Sequence, residues 1–209
     1  AFYLRRWYGV DPAGGSGLKY AAKGTTTDYR VTAKGDTVTF NPTFAAFDYA
    51  GSAIPKFFGS VSSTLSVRDF ALSFLFNYQV GGKFYDGNYA GLMAISYGSA
   101  LHTDNLRAWK KPGDVTDVPR LDINKTGQFN SQSDRFLIDA SYLNLRNVTL
   151  SYKLPKSVIG KIGFDAAKVY VGGENLYIFT KRRGMNPAES FNGTNSPVYV
   201  PNRLVNVGI

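Results

Sequence analysis

Apolar and polar positions alternate most cleanly between residues 57 and 82. Within Phe58-Gly59-Ser60-Val61-Ser62-Ser63-Thr64-Leu65-Ser66-Val67, the side chains of Val61, Leu65 and Val67 fall on one face and those of Ser60, Ser62, Thr64 and Ser66 on the other. Arg68-Asp69 reads as a tight turn. Phe70, Leu72, Phe74, Phe76, Tyr78 and Val80 then form an unbroken apolar face opposite Ala71, Ser73, Asn77, Gln79 and Gly81, with Leu75 the exception. Successive strand side chains point to opposite faces, so this is a hairpin with one greasy face and one small, polar, nearly uncharged face. A soluble sandwich buries its apolar face against a second sheet and exposes charge on the other. A membrane barrel turns the apolar face to lipid and keeps the polar face inside. A strand over 70–82 is long enough for a tilted crossing of about 9–11 residues, and the hairpin favours the barrel.

Further strands are expected over 142–154, 167–181 and 203–209, and the best candidate for a first strand is 2–8. Val148, Leu150, Tyr152 and Leu154 share a phase that Leu143 and Leu145 do not, which predicts a bulge near Arg146-Asn147. Pro155 lacks an N–H for the ladder and ends that strand. Gly172-Gly173 predicts a kink or close packing. The connection 155–166 is short, with room for a helical turn, whereas 9–56, 83–141 and 182–202 are long. Structureless connections of that size are unusual inside a compact domain. They suit an outer-membrane barrel, which has short periplasmic turns and long extracellular loops. The six strands then run alternately up and down and finish in the periplasm. Trp7, Tyr8, Tyr78, Tyr142, Tyr152 and Tyr177 fall near expected strand ends and suit aromatic girdles. The expected fold is therefore all-β: an antiparallel transmembrane β-barrel segment of about six strands with long extracellular loops.

Composition narrows the chemistry. The 209 residues contain no Cys and one His, which excludes a disulfide framework, a Cys-based zinc site and a multi-histidine metal site. The 24 Lys+Arg against 15 Asp+Glu give a net charge of +9. The basic residues are scattered, however, with Lys181-Arg182-Arg183 the only tight run, and a nucleic-acid partner is not expected. That run sits at the outer end of a strand, where it could pair with outer-leaflet lipid phosphates. Aromatic residues reach 15%, as strand-rich chains do. No stretch approaches the run of about 18 apolar residues that a membrane helix needs. No catalytic constellation, metal site or cofactor is expected. His102, near Asp104, reads as a solvated loop histidine, and Gly14-Gly15-Ser16-Gly17 as a flexible turn, because no Gly-Lys-Ser/Thr follows. Binding residues belong in loops. The candidates for substrate contact are Trp109 with Asn105, Arg107 and Asp114, and a second cluster of Phe191, Asn192 and Tyr199.

Several blocks resemble the C-terminal part of SusC/RagA-type TonB-dependent outer-membrane transporters of Bacteroidetes. They are Trp7-Tyr8-Gly9-Val10-Asp11-Pro12-Ala13-Gly14-Gly15; Ile54-Pro55-Lys56-Phe57-Phe58-Gly59-Ser60 with Phe70-Ala71-Leu72-Ser73 and Gly82-Lys83-Phe84-Tyr85-Asp86; and Trp109-Lys110-Lys111-Pro112-Gly113-Asp114 with Pro119-Arg120. The most specific is Ser141-Tyr142-Leu143-Asn144-Leu145-Arg146-Asn147-Val148-Thr149-Leu150-Ser151-Tyr152, continuing through Leu154-Pro155-Lys156, Val169-Tyr170-Val171, Glu174-Asn175-Leu176 and Met185-Asn186-Pro187. The blocks keep the family's order and cover essentially the whole chain. Family members are several times longer and carry a signal peptide, a TonB-box region and a plug domain. The resemblance therefore implies that 1–209 is the C-terminal part of a barrel of about 22 strands. It implies import of glycans or oligopeptides without a cofactor, a SusD-like surface lipoprotein as lid, TonB acting through the plug, and residence in the cell's outer membrane. Two other readings are a secreted soluble β-sandwich that binds glycans or surfaces, and a siderophore-type TonB-dependent receptor.

Overall fold

The computed structural model describes residues 1–181, 185–190, 192–195 and 201–209. The described residues form thirteen strands in chain order: β1 (Phe2–Arg5), β2 (Trp7–Val10), β3 (Gly17–Tyr20), β4 (Tyr29–Val31), β5 (Thr37–Thr39), β6 (Phe47–Gly51), β7 (Phe57–Val67), β8 (Phe70–Val80), β9 (Lys83–Tyr85), β10 (Leu137–Asp139), β11 (Tyr142–Lys153), β12 (Lys168–Thr180) and β13 (Leu204–Gly208). The helices are short: α1 (Gly87–Met93), α2 (Thr126–Asn130), α3 (Lys156–Ile159) and several 3-10 turns. Among the described residues no helix is long and apolar enough to cross a membrane, which says nothing about strands. The chain divides into two compact units, one of Ala1–Ile54, Lys83–Ile138 and the described residues of Ser190–Pro197, the other of Pro55–Gly82 and the described residues of Asp139–Glu189 and Val198–Ile209.

The second unit is a single antiparallel sheet in the order β13-β12-β11-β8-β7. In the β7–β8 hairpin Val67 faces Phe70, so Arg68-Asp69 is the whole connection. Arg68 takes the left-handed backbone, φ 54, which a two-residue hairpin turn asks of its first residue. Strand β8 stops at Val80, two residues short of the expected end. Gly81 and Gly82 both adopt positive φ, and the Gly81 N–H donates to Ser141 Oγ at 2.9 Å instead of joining the ladder.

The expected bulge is present. Leu145 faces Phe76 and Asn147 faces Leu75, leaving Arg146 as the extra residue. On the other side of β11 the register also shifts, since Leu145 faces Tyr177 but Asn147 faces Glu174. Asn175, inside that second irregularity, is left-handed at φ 52, a conformation asparagine tolerates better than most residues. Gly172 faces both Thr149 and Asn206, and a Cβ there would strike Asn206 Oδ1. The close packing expected of Gly172-Gly173 therefore holds, while the backbone irregularity lies further along, at Asn175. Pro155 ends β11 and caps α3, the expected helical turn.

Together these registers sort the side chains. Phe57, Val61, Leu65 and Val67 of β7, Phe70 to Val80 at alternate positions of β8, Leu143, Leu145, Val148, Leu150 and Tyr152 of β11, and Val169, Val171, Tyr177 and Phe179 of β12 share one face. The opposite face carries Ser60, Ser62, Thr64, Ser73, Asn77, Asn144, Thr149 and Ser151, interspersed with Phe58, Leu75, Tyr142, Tyr170, Glu174 and Ile178. The apolar face is open: Phe57 is 55% exposed, Phe70 53%, Leu150 43% and Phe179 56%. Among the described residues no core lies on that side, which is the reverse of a soluble sandwich. The turn at 68–69 and the connection 154–167 leave from one end of the sheet, where the Lys153 N–H donates to Asp69 O at 2.8 Å. The long connections leave from the end marked by Phe57, Val80, Tyr142 and Thr180.

Residues 2–8 are not a strand of this sheet. They form β1, paired with β6, and β2, paired with β3, so five of the six expected strands build it. The long connections are not structureless either. With β1 and β2 they form the β1–β6 pair and the β2-β3-β5-β4 sheet of the first unit, and they supply its core of Met93, Ala108, Val118 and Phe136.

Candidate functional site

The first unit joins two of the motif blocks through one tryptophan. The Trp109 indole lies against Gly15, whose positive φ of 71 and missing Cβ are both required, since a Cβ would sit 2.5 Å from Trp109 Cε3. Trp109 Nε1 donates to Pro12 O at 2.9 Å, and the Gly113 N–H donates to the same carbonyl at 2.9 Å. Asp114 folds the intervening turn by accepting from the Lys110 and Lys111 N–H groups at 2.9 and 3.0 Å. Those two hydrogen bonds hold its carboxyl below the ordinary carboxylate range. For Asp11, burial acts to raise the pKa, but the Arg30 guanidinium and the Ala13 N–H outweigh it and leave it lowered. Gly14-Gly15-Ser16-Gly17 is therefore an anchored turn, closed by Gly15 N–H to Asp11 O at 2.8 Å and Asp11 N–H to Ser16 O at 2.9 Å.

The other candidates take different surroundings. Asn105 is 6% exposed, and its Nδ2 donates to Leu92 O at 3.2 Å. Arg107 is exposed and reaches Asp104 at 3.4 Å and Asp117 at 3.3 Å, pairs of small energetic weight in solvent. Asn192 is exposed on the third long connection, its N–H on Ser190 Oγ at 3.3 Å. Phe191, Tyr199, Arg182 and Arg183 lie outside the described residues. The stretch 105–114 thus presents one buried amide, one packed indole, one turn carboxylate and one outward guanidinium rather than a single convergent face.

His102 is not simply solvated. Its Nδ1 accepts from the Asp104 N–H at 3.1 Å, and its ring meets Tyr89 edge-on at 4.8 Å. Tyr89 Oη donates to Asp104 at 2.6 Å. The third connection ties in nearby, where Asn195 Nδ2 donates to Asp86 Oδ1 at 2.8 Å and Asn195 Oδ1 accepts from the Asn88 N–H at 3.0 Å.

Sequence reasoning missed one cluster. Trp7, expected in a membrane girdle, instead meets two cations, with the Arg135 guanidinium 4.9 Å and Lys19 Nζ 5.5 Å from its ring. Lys19 is fully buried and donates to Gln128 O at 2.6 Å. Burial first, and then repulsion from Arg5 and Arg135, pulls its pKa down to about 8. Asp134 secures the same strand, accepting from the Trp7 N–H at 2.7 Å and pairing with Arg6 at 3.2 Å. The partners are distant in sequence, and nothing local in Gly17-Leu18-Lys19-Tyr20 marks the lysine as buried.

No protein-family model matches the chain. TonB-dependent receptor P3 of Formosa agariphila is 31% identical over 147 residues, 70% of this chain and 14% of that receptor. TonB-dependent receptor P39 of the same organism is 29% identical over 140 residues, 66% of this chain and 14% of that receptor. Among solved structures, the RagAB peptide transporter contains a chain that matches with a TM-score of 0.76 and 26% identity, covering 99% of this chain and 22% of that one. The RagAB peptide importer in its open-open state matches with a TM-score of 0.72 and 26% identity, covering 99% and 21%. This chain therefore spans a small part of the length of the proteins it matches. Over that part, the likeness to SusC/RagA-type TonB-dependent transporters holds in sequence and in fold.

Proposed function

We propose that this chain, kin to TonB-dependent receptors over a segment of their length, is a wall section of an outer-membrane β-barrel that imports nutrients. The observation that carries the reading is the second unit's sheet, whose apolar face stands open while its other face is mostly polar, with Ser, Thr, Asn and Gln prevailing across β7, β8 and β11. Lipid covers such a face in a barrel, and in water it would be an aggregation hazard. From Phe70 to Val80 is about 33 Å along the strand, or about 25 Å at a tilt near 40°, the height of the apolar band of outer-membrane barrels.

In this reading the tight-turn end is periplasmic and the long connections are extracellular. The first unit supplies folded extracellular structure, and the C-terminal strand β13 runs toward the periplasm. The rest of the barrel, the plug and the TonB contact lie in other parts of the complete protein, and a SusD-like lipoprotein closes over the substrate. Oligopeptides or glycans are the substrates, with peptides first to test because the matched structures are of a peptide importer. Arg107, Trp109, Asp114 and the 191–199 stretch are the residues to probe for ligand contact.

The test is uptake by cells producing the complete receptor, using labelled oligopeptides and oligosaccharides. The expected result is receptor-dependent uptake that stops when the proton gradient is collapsed. Accumulation of the complete protein in the soluble secreted fraction, with no receptor-dependent uptake, would overturn the proposal.

A further inference from the structure

A small cavity of about 10 Å³, room for a single water-sized group, lies in the first unit among Met93, Val118, Pro119, Asn105, Arg120 and Arg135. Two of the residues that line it, Asn105 and Arg135, each carry a buried polar atom, Oδ1 and Nη1, with no partner among the described residues. Both side chains are fixed by their other atoms. Asn105 Nδ2 donates to Leu92 O, so the amide cannot exchange its oxygen for its nitrogen without losing that bond. Arg135 Nη2 donates to Asp117 O at 3.0 Å, and the guanidinium is held over the Trp7 and Phe136 rings at 4.9 and 5.2 Å.

These two atoms make opposite demands. Asn105 Oδ1 needs a donor, and Arg135 Nη1 needs an acceptor. An anion would meet the guanidinium but leave the amide oxygen facing negative charge, and a cation would meet the amide but repel the guanidinium. An apolar group would satisfy neither, and burying such atoms unpaired is costly. A water molecule both gives and takes, and the cavity has room for one oxygen. We propose that this is a built site for one resident water molecule. That water bridges the Asn105 amide to the Arg135 guanidinium, fastening the 103–107 turn to the segment that packs on Trp7. The stretch carrying Trp109 is then held from below by a solvent bridge as well as from the side by Gly15.

The test uses the complete receptor purified in detergent, at a resolution that shows ordered water. Density for an isolated oxygen within hydrogen-bond distance of both Asn105 Oδ1 and Arg135 Nη1 supports the site. Empty density, a direct Asn105–Arg135 hydrogen bond, or the hydroxyl of a larger bound solute in that place overturns it. Hydrogen exchange gives an independent reading on two variants. With a bridging water, Asn105→Leu raises exchange over 103–108 and also over 133–136 by several-fold, while Leu106→Ala, at an exposed neighbour, does neither. If the cavity is dry, Asn105→Leu removes an unpaired acceptor and exchange over 133–136 stays the same or falls.

Discussion

Leu145 and Val148 point to the same side of the sheet although three positions separate them, because Arg146 bulges and shifts the register between Phe76 and Phe74 on the neighbouring strand. A strand of strict period two would turn one of the two apolar groups into the polar face. Deleting Arg146 removes the extra residue and reverses the facing of 142–145 relative to 147–153. The complete receptor lacking Arg146 is expected not to assemble, and to lose the heat-modifiable gel migration of a folded barrel. A normally migrating deletion variant would show that the bulge is dispensable.

The two faces of β8 differ in their tolerance of charge. Phe74→Arg places a cation on the open apolar face mid-strand and is expected to destabilise the barrel in lipid by about 2–4 kcal/mol. Ser73→Arg places it on the polar face and is expected to cost far less. Unfolding of the two variants in vesicles reads the difference directly, and equal costs would contradict the assignment of faces.

Those faces were legible in the sequence because a sheet with one apolar and one polar side imposes period two, and the hairpin, the bulge and the tight Gly172 contact all left local marks. The first unit was not legible. Its strands are three to five residues long, too short for a periodic signal, and its contacts join segments far apart in sequence. Trp7 read as a girdle residue because an aromatic at a strand end looks the same whether lipid or two cations will meet it. The seat of Trp109 was not legible because Gly15, against which its indole packs, lies in a different connection.

Gly15→Val sets a Cβ into the Trp109 ring and a branched residue at φ 71. Backbone strain alone is expected to cost about 1–3 kcal/mol. The expected consequence is raised hydrogen exchange over both 11–17 and 105–120 of the complete receptor. Trp109→Phe keeps a ring but loses the bond to Pro12 O, at a cost of about 1 kcal/mol, and is expected to raise exchange over the same two stretches to a smaller degree.

Lys19 makes the first unit pH-dependent. Its pKa is near 8 in the folded chain against 10.5 unfolded, so between those values the unfolded state binds more protons, and stability rises with pH. Below about pH 8 the amine is charged in both states and the full cost of burying it is present. Because Tyr and other Lys residues titrate in the same window, the measurement is the stability difference between the natural chain and Lys19→Met, at pH 7.5 and pH 10. The difference is expected to shift in favour of the natural chain at the higher pH, and a pH-independent difference would exclude a buried, shifted Lys19.

The most direct measurement is a cysteine scan of β8, positions 70 to 80, in the complete receptor reconstituted in vesicles. This chain contributes no thiol of its own, so with any thiols elsewhere in the receptor replaced, each variant carries one spin label. If the sheet is a barrel wall, labels at 70, 72, 74, 76, 78 and 80 are relaxed by lipid-soluble oxygen, and those at 71, 73, 75, 77 and 79 are not. Labels at all eleven positions relaxed alike by a water-soluble nickel reagent, or shielded alike from both, would show that the apolar face does not meet lipid.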